Sequence, residues 1–202
     1  MSQHWGGEGR AMMYTLSVTA ASGGDSSPRG GAKFDAGGKP MEKRTDKQNY
    51  YLDIADAVLE RSTCLRRKYG AIIVRNDEII STGYNGAPRG RKNCSDLGGC
   101  MREKLGIPSG ERYELCRSVH AEANAIISAS RRDMIGATIY LVGRSAKTNE
   151  LLSDAMSCSM CKRQIINAGI EKVVIRTGPA EYRVIPVSDW VENDDSIFNL
   201  IG

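Results

Sequence analysis

Two short patterns hold the residue types best able to do chemistry. One is His120-Ala121-Glu122, and the other is Cys158-Ser159-Met160-Cys161. Two thiols spaced i and i+3 at the beginning of a helix can converge on one ion. The backbone N–H groups and dipole of that helix end favour the thiolate form. The imidazole of His120 supplies a third donor. Three protein ligands, His120, Cys158 and Cys161, leave the fourth tetrahedral position to water, as a catalytic zinc requires. Zinc in such a setting brings the ionisation of water close to neutrality. Glu122 stands two residues after His120, too close to be a comfortable fourth ligand on the same side of the ion. It is placed instead to move protons as general acid and base. The chain has only two histidines, His4 and His120, which makes His120 easy to single out.

The other four cysteines form a second constellation. Cys94 and Cys100 lie in one loop, and Cys116 stands four residues before His120. Cys64 is expected at the end of the first helix. A long loop with spaced thiols suggests a closed site in which Cys64, Cys94, Cys100 and Cys116 bind a structural zinc and staple the loop. Free buried cysteine is the plainer alternative, above all for Cys64. Disulfides are a third possibility, but the N-terminus has no continuous apolar stretch of a secretory signal, and thiols in a cytoplasmic protein more often serve metals or catalysis.

These residues need a scaffold, and its pattern is readable. Leu52, Ile54, Ala55, Val58 and Leu59 recur at helical spacing, with order expected to begin near Asp46. Residues 70–75 and 78–82 read as two strands of a hairpin, turned at Asn76-Asp77. The stretch 83–116 is rich in Gly, Asn, Pro and Cys. It is long for a plain loop, which points to function or to metal stapling. A helix is expected from His120 through Ala129, a strand over 137–142, and a helix after Ser157 ending at Gly169. Strands over 171–175 and 183–187 complete the set. Strands alternating with helices predict an α/β fold, a mixed sheet covered on both faces.

Composition sets the bounds. The 202 residues suffice for one domain with a real core. Residues 1–42 hold nine of the 22 glycines and several serines, and read as a disordered Gly/Ser-rich extension before a domain over 43–202. The net charge of +4 comes with no Lys/Arg-rich run, which argues against a nucleic-acid partner. No apolar stretch approaches the ~20 residues needed to span a bilayer, so no membrane partner and a cytoplasmic location are expected.

Taken together, His-x-Glu and Cys-x-x-Cys, each opening a helix, match the signature of zinc deaminases. The chain resembles the deoxycytidylate deaminases of the cytidine deaminase superfamily over about Asp46 to Thr177. The matching stretches are 61–71, 81–90, 116–126 and 158–169. The resemblance implies a three-layer α-β-α fold with a mixed five-stranded sheet. It implies His120, Cys158 and Cys161 as ligands of a catalytic zinc, Glu122 as the acid/base, and Asn85, Gly86 and Ala121 as substrate contacts. It further implies hydrolytic deamination of dCMP to dUMP and ammonia, feeding thymidylate synthesis. A homo-oligomer is implied too, regulated by dCTP and dTTP with Mg2+. Loop cations Arg89, Arg91, Lys92 and Arg117 are candidates for the phosphate. The alternatives are a zinc deaminase of another ring (a riboflavin-pathway pyrimidine, guanine or tRNA adenosine) or a non-catalytic zinc-stapled nucleotide-binding or competence protein. One departure stands out: Ser157 occupies the place where the family has proline before the first ligand cysteine. Serine is itself a good N-cap, so helix entry is expected to survive.

Overall fold

Asp46 opens the ordered architecture. Its carboxylate accepts from the backbone N–H groups of Gln48 and Asn49 and caps helix α1, Lys47–Leu59. The computed structural model describes residues 44–108 and 110–193. The disordered extension expected over residues 1–42 lies outside the described residues.

The hairpin forms as the alternation predicts. Strand β1 is Arg67–Arg75 and strand β2 is Glu78–Tyr84. Asn76 and Asp77 both take positive φ, 51° and 69°, as a turn matched to strand twist demands. Within the long loop a single helical turn, α2, spans Met101–Lys104, and a 3₁₀ turn spans Tyr113–Leu115. Helix α3 is Ala121–Ile127, followed by the short α4, Arg131–Met134. Strand β3 is Thr138–Ser145, helix α5 is Ser159–Ala168, and strand β4 is Lys172–Arg176. Strand β5, Tyr182–Pro186, and the short α6, Ser188–Glu192, end the described fold. Gly169 closes α5 at φ 80°, a left-handed cap that glycine adopts without strain.

The five strands lie in the order β2-β1-β3-β4-β5. The β3–β4 pair is parallel and the other three pairs are antiparallel. A parallel pair needs a crossover, which here is the segment carrying α5. Period-two alternation then divides the sheet's side chains between two layers. Ile72, Val74, Tyr140, Val142 and Val174 pack with Tyr51, Leu52, Ala55 and Leu59 of α1. Ala71, Ile73, Ile139, Leu141, Val173 and Ile175 pack with Ala121 and Ala125 of α3 and Ile165 and Ala168 of α5. The mixed sheet with helices on both faces is therefore the expected α/β architecture.

Several boundaries differ from the sequence reading: β1 begins at Arg67 and β2 runs to Tyr84, each longer than expected. α1 stops at Leu59, so Cys64 lies in the connection beyond it rather than at its end. α3 stops at Ile127 rather than at Ala129, with Ser128 as its C-terminal cap. The cap of α5 is Cys158 itself, not Ser157. The short helices α2, α4 and α6 carry too few residues to show periodicity. β3 also runs on to Ser145, past the expected end at 142, and the chain then folds back on it, with Ser145 N–H donating to Glu150 O at 2.9 Å and Leu152 N–H to Gly143 O at 2.9 Å.

Candidate active site

The site is built on two helix starts that lie on the same sheet face. His120 is the N-cap of α3 and Cys158 the N-cap of α5. α3 is held to β2 by very close backbone contact. A Cβ added at Gly83 would stand 2.2 Å from Ala121 O and 2.4 Å from Ala125 N. Only glycine permits that approach. Ser81 Oγ donates to Ala125 O at 2.8 Å and Asn124 Nδ2 to Tyr84 O at 2.7 Å, which fix the helix along the strand. The chain just before His120 is tied down as well: Gly86 and Val119 exchange both backbone hydrogen bonds, at 3.2 and 2.8 Å.

This scaffold brings His120 Nδ1 to 3.4 Å from Cys158 Sγ and 3.5 Å from Cys161 Sγ. One donor atom from each residue lies within 4.8 Å of the others. Tetrahedral zinc with ordinary Zn–S and Zn–N bonds separates nitrogen from sulfur by about 3.6 Å. The donor set and its spacing therefore fit zinc. Apart from metal, the cluster shares protons. Contact with Cys161 and the His120 imidazole holds the Cys158 thiol down at about 4, against the opposing effect of burial. Cys161, whose S–H faces the Cys158 sulfur in a buried place, is pushed up. His120 is raised by the Cys158 sulfur, with burial opposing. A metal replaces the shared proton in such a trio. Tyr113 meets the His120 ring edge-on, with centroids 5.1 Å apart, and sets the imidazole plane.

Glu122 is 5% exposed and borders the same cavity. Burial pushes its carboxyl above the usual carboxylate range, and the His120 charge pulls it partly back. A carboxyl so placed holds a proton more readily than an exposed one. Ser157, at the place of the family proline, is buried. Its hydroxyl faces the Glu122 carboxyl and pulls it partly back down.

The cavity has an empty volume of about 710 Å³, part of it open to solvent. His120, Ala121, Glu122, Cys158 and Asn85 all border it, together with Cys64, Cys100 and Cys116. Gly86 does not, and its visible role is the backbone pairing with Val119. The Asn85 amide is largely engaged by the protein. Its Oδ1 accepts from Ser62 Oγ at 2.6 Å and from Tyr69 N–H at 2.8 Å, while Nδ2 donates to Arg67 O at 2.9 Å. One N–H remains for a ligand. Arg89, Arg91, Lys92 and Arg117 lie outside the cavity lining, and Arg117 Nε donates to Lys92 O at 3.0 Å. The arginines that do line it are Arg66, Arg67 and Arg102. The first two fall within the 61–71 stretch that the resemblance covers. Arg102 sits in a loop whose closure no local pattern announces.

The second set of thiols is gathered but not closed. Cys64, Cys100 and Cys116 line one cavity. The Cys94 thiol is pushed up by burial and then by Cys64, Cys100 and Cys116. Burial also raises Cys116. Among the described residues, only His120, Cys158 and Cys161 reach mutual metal-ligand spacing.

A mixed α/β sheet presenting a His/Cys/Cys cluster and a buried glutamate at two helix starts carries the signature described for zinc deaminases. The family model described as the cytidine and deoxycytidylate deaminase zinc-binding region matches residues 45–177, and the chain belongs to that family. The chain is similar to the deoxycytidylate deaminase of Mycobacterium phage D29, 40% identical over 136 residues, covering 65% of this chain and 94% of that one. It is also similar to the deoxycytidylate deaminase of Schizosaccharomyces pombe, 35% identical over 138 residues, covering 68% of this chain. This chain spans only 39% of the length of the yeast relative. Among solved structures, the dCMP deaminase of cyanophage S-TIM5 in apo form aligns with a TM-score of 0.45 and 25% identity, covering 64% of this chain and 81% of that chain. No helix among the described residues is long and apolar enough to cross a membrane.

Proposed function

We propose that this protein deaminates deoxycytidine monophosphate to deoxyuridine monophosphate and ammonia. The observation that carries the reading is the His120/Cys158/Cys161 cluster with Glu122 buried beside it in one cavity. The phosphorylated substrate follows from the similarity to deoxycytidylate deaminases.

His120, Cys158 and Cys161 would hold the zinc. When bound, zinc acts as a Lewis acid and makes water a competent nucleophile near neutral pH. Glu122 removes a proton from the attacking water. It delivers that proton to ring N3, so that C4 accepts the new C–O bond, and then assists departure of the C4 amine as ammonia. Its raised affinity for protons suits both directions of this transfer. Asn85 and the Ala121 backbone border the space where the sugar and ring would lie.

A second zinc on Cys64, Cys94, Cys100 and Cys116 is part of the proposal. Three of these thiols line the cavity, and the fourth, Cys94, lies near enough to be influenced by the other three, which supports it. A homo-oligomer is proposed as well, supported by the exposure of Ile127 at 75% beside a groove bordered by Ile126 and Met160. Regulation by dCTP, dTTP and Mg2+ remains an inference from the family resemblance. So does a working domain that starts near residue 43, which agrees with the family match beginning at residue 45.

The test is an ultraviolet assay over cytosine, adenine and guanine substrates, run with zinc counting. Turnover of dCMP with two zinc ions per chain is expected. Glu122→Gln should retain the metal and lose ~10²- to 10⁴-fold in kcat. Failure of zinc-loaded protein to release ammonia from dCMP overturns the reading.

A further inference from the structure

His120 lacks the support that a metal-binding histidine ordinarily has. Its Nδ1 faces the sulfurs of Cys158 and Cys161, while its Nε2 has no hydrogen-bond partner among the described residues. As the N-cap of α3, its side chain makes no capping bond to the helix either. In most metal sites the second ring nitrogen donates to a carboxylate or a carbonyl, and that bond fixes the ring plane. Without it an imidazole turns about a broad, roughly two-fold torsion. The ring is met instead by Tyr113, perpendicular to it at 84° with centroids 5.1 Å apart.

Tyr113 is itself held in place. The Arg102 guanidinium lies over its ring, 4.6 Å from the centroid. Arg102 is 6% exposed, and its Nη2 donates to the carbonyls of Pro108 and Glu111, at 2.5 Å each. Those bonds close the loop just ahead of Arg112, which takes φ 47°. A non-glycine residue holds that left-handed conformation only where its surroundings impose it. Tyr113 follows at once, and its carbonyl accepts from Cys116 N–H at 2.9 Å. Arg102 stands two residues after Cys100, and Tyr113 three before Cys116. The stack therefore joins the two thiol-bearing ends of the loop and delivers one aromatic ring to the imidazole.

We infer that Tyr113 is a positioning residue for the metal centre: its ring, steadied by Arg102, fixes the His120 imidazole plane in place of the missing hydrogen bond. The inference rests on His120, Cys158 and Cys161 holding zinc, as the deaminase reading above requires. It adds that the loop over residues 100–116 sets, through ring contact, how tightly that zinc is held. Two other roles compete for Tyr113. One is packing of the loop alone, which leaves the metal affinity of the folded protein unchanged. The other is a wall for the ring of the ligand, which moves KM and not zinc affinity.

The experiment measures zinc affinity by chelator competition for wild type, Tyr113→Ala, Tyr113→Phe and Arg102→Gln, with Cys158→Ala as the blank that lacks the trio. Cobalt(II) absorption of the same proteins reports the geometry of the bound ion, and melting of the metal-free forms reports folding. Tyr113→Ala is expected to bind zinc roughly 10- to 100-fold more weakly, with altered cobalt bands. Tyr113→Phe keeps the ring and should stay within about threefold of wild type. Arg102→Gln removes the support and keeps the ring, for a loss of roughly fivefold, which preserves the test if the alanine variant folds poorly. Wild-type zinc affinity and cobalt bands in folded Tyr113→Ala overturn the inference and leave the deaminase reading standing. An equal loss in Tyr113→Phe also overturns it, because the hydroxyl would then be the cause. Ring-dependent zinc binding by a wild type that deaminates no dCMP supports the inference and sinks the deaminase reading. Wild-type zinc binding no tighter than that of the Cys158→Ala blank overturns both.

Discussion

The Asn85 amide is engaged by the chain before any ligand arrives. It joins three pieces of backbone and side chain: the Ser62 hydroxyl, the Tyr69 N–H and the Arg67 carbonyl. Replacing it with alanine takes a partner from the half-buried Tyr69 N–H and from the Arg67 carbonyl, and leaves the Ser62 hydroxyl with the Asn85 backbone carbonyl alone. A stranded group costs ~1–3 kcal/mol where water cannot replace the bond. Asn85→Ala should therefore lower the urea midpoint as well as activity. A variant that loses activity with an unchanged midpoint would show that Asn85 serves the ligand alone. Local pattern made Asn85 conspicuous, because Asn-Gly after a strand exposes donors. It could not show that the amide points back into the fold, since the partners lie 16 to 23 residues away. The metal-ligand trio was legible because residue type and spacing nearly determine it. Arg102 was not, because a loop arginine is usually solvated and its burial depends on how residues 100–116 close.

At the level of elements, the docking of α3 on β2 places the chemistry. A methyl at Gly83 meets the Ala121 carbonyl and the Ala125 nitrogen, neither of which can turn aside. Gly83→Ala must push α3 off the strand, and His120 and Glu122 move with it. A cost of ~1–3 kcal/mol is expected from overpacking, with a far larger proportional loss of activity, since small misplacements at a reacting centre are expensive. Melting and kcat measured together check this. Full activity in that variant would mean that α3 tolerates displacement. The long strands and α1 were readable from the β-branched run 72–74 and from the helical spacing of Leu52, Ala55 and Leu59. Helix ends were less so: no glycine or proline marks the stop at Leu59, and its cap, Glu60, is a residue that could have continued the helix.

Across the whole molecule, one contact between α1 and the β1–β2 turn governs behaviour at both extremes of pH. Asp77 accepts from Lys47 Nζ at 2.7 Å and from the Tyr51 hydroxyl at 2.6 Å. The Lys47 bond, then the Tyr51 bond, hold the Asp77 carboxyl below its ordinary value. Its contribution is present above that ordinary value and fades as pH falls through the depressed one. Tyr51 is pushed up to about 12, first by the same Asp77 bond and then by burial. Its contribution is complete below the ordinary tyrosine value near 10 and disappears as pH rises through about 12. Asp77→Asn should flatten both limbs of a stability–pH curve. An unchanged acid limb and an unchanged alkaline limb would remove this contact from the account.

His120 and Cys158 cap two helices that share no covalent tie and lie far apart in sequence. An ion held between them would act as a cross-link that can be put in or taken out by choice of solution. The temperature at which the protein melts is then not a constant of the chain. It should climb with the logarithm of free zinc, each tenfold increase above the dissociation constant adding about 1.4 kcal/mol, and drop to a floor under a chelator. Scans in zinc buffers of graded activity would trace that line, and a midpoint indifferent to free zinc would mean the two helices hold together without it.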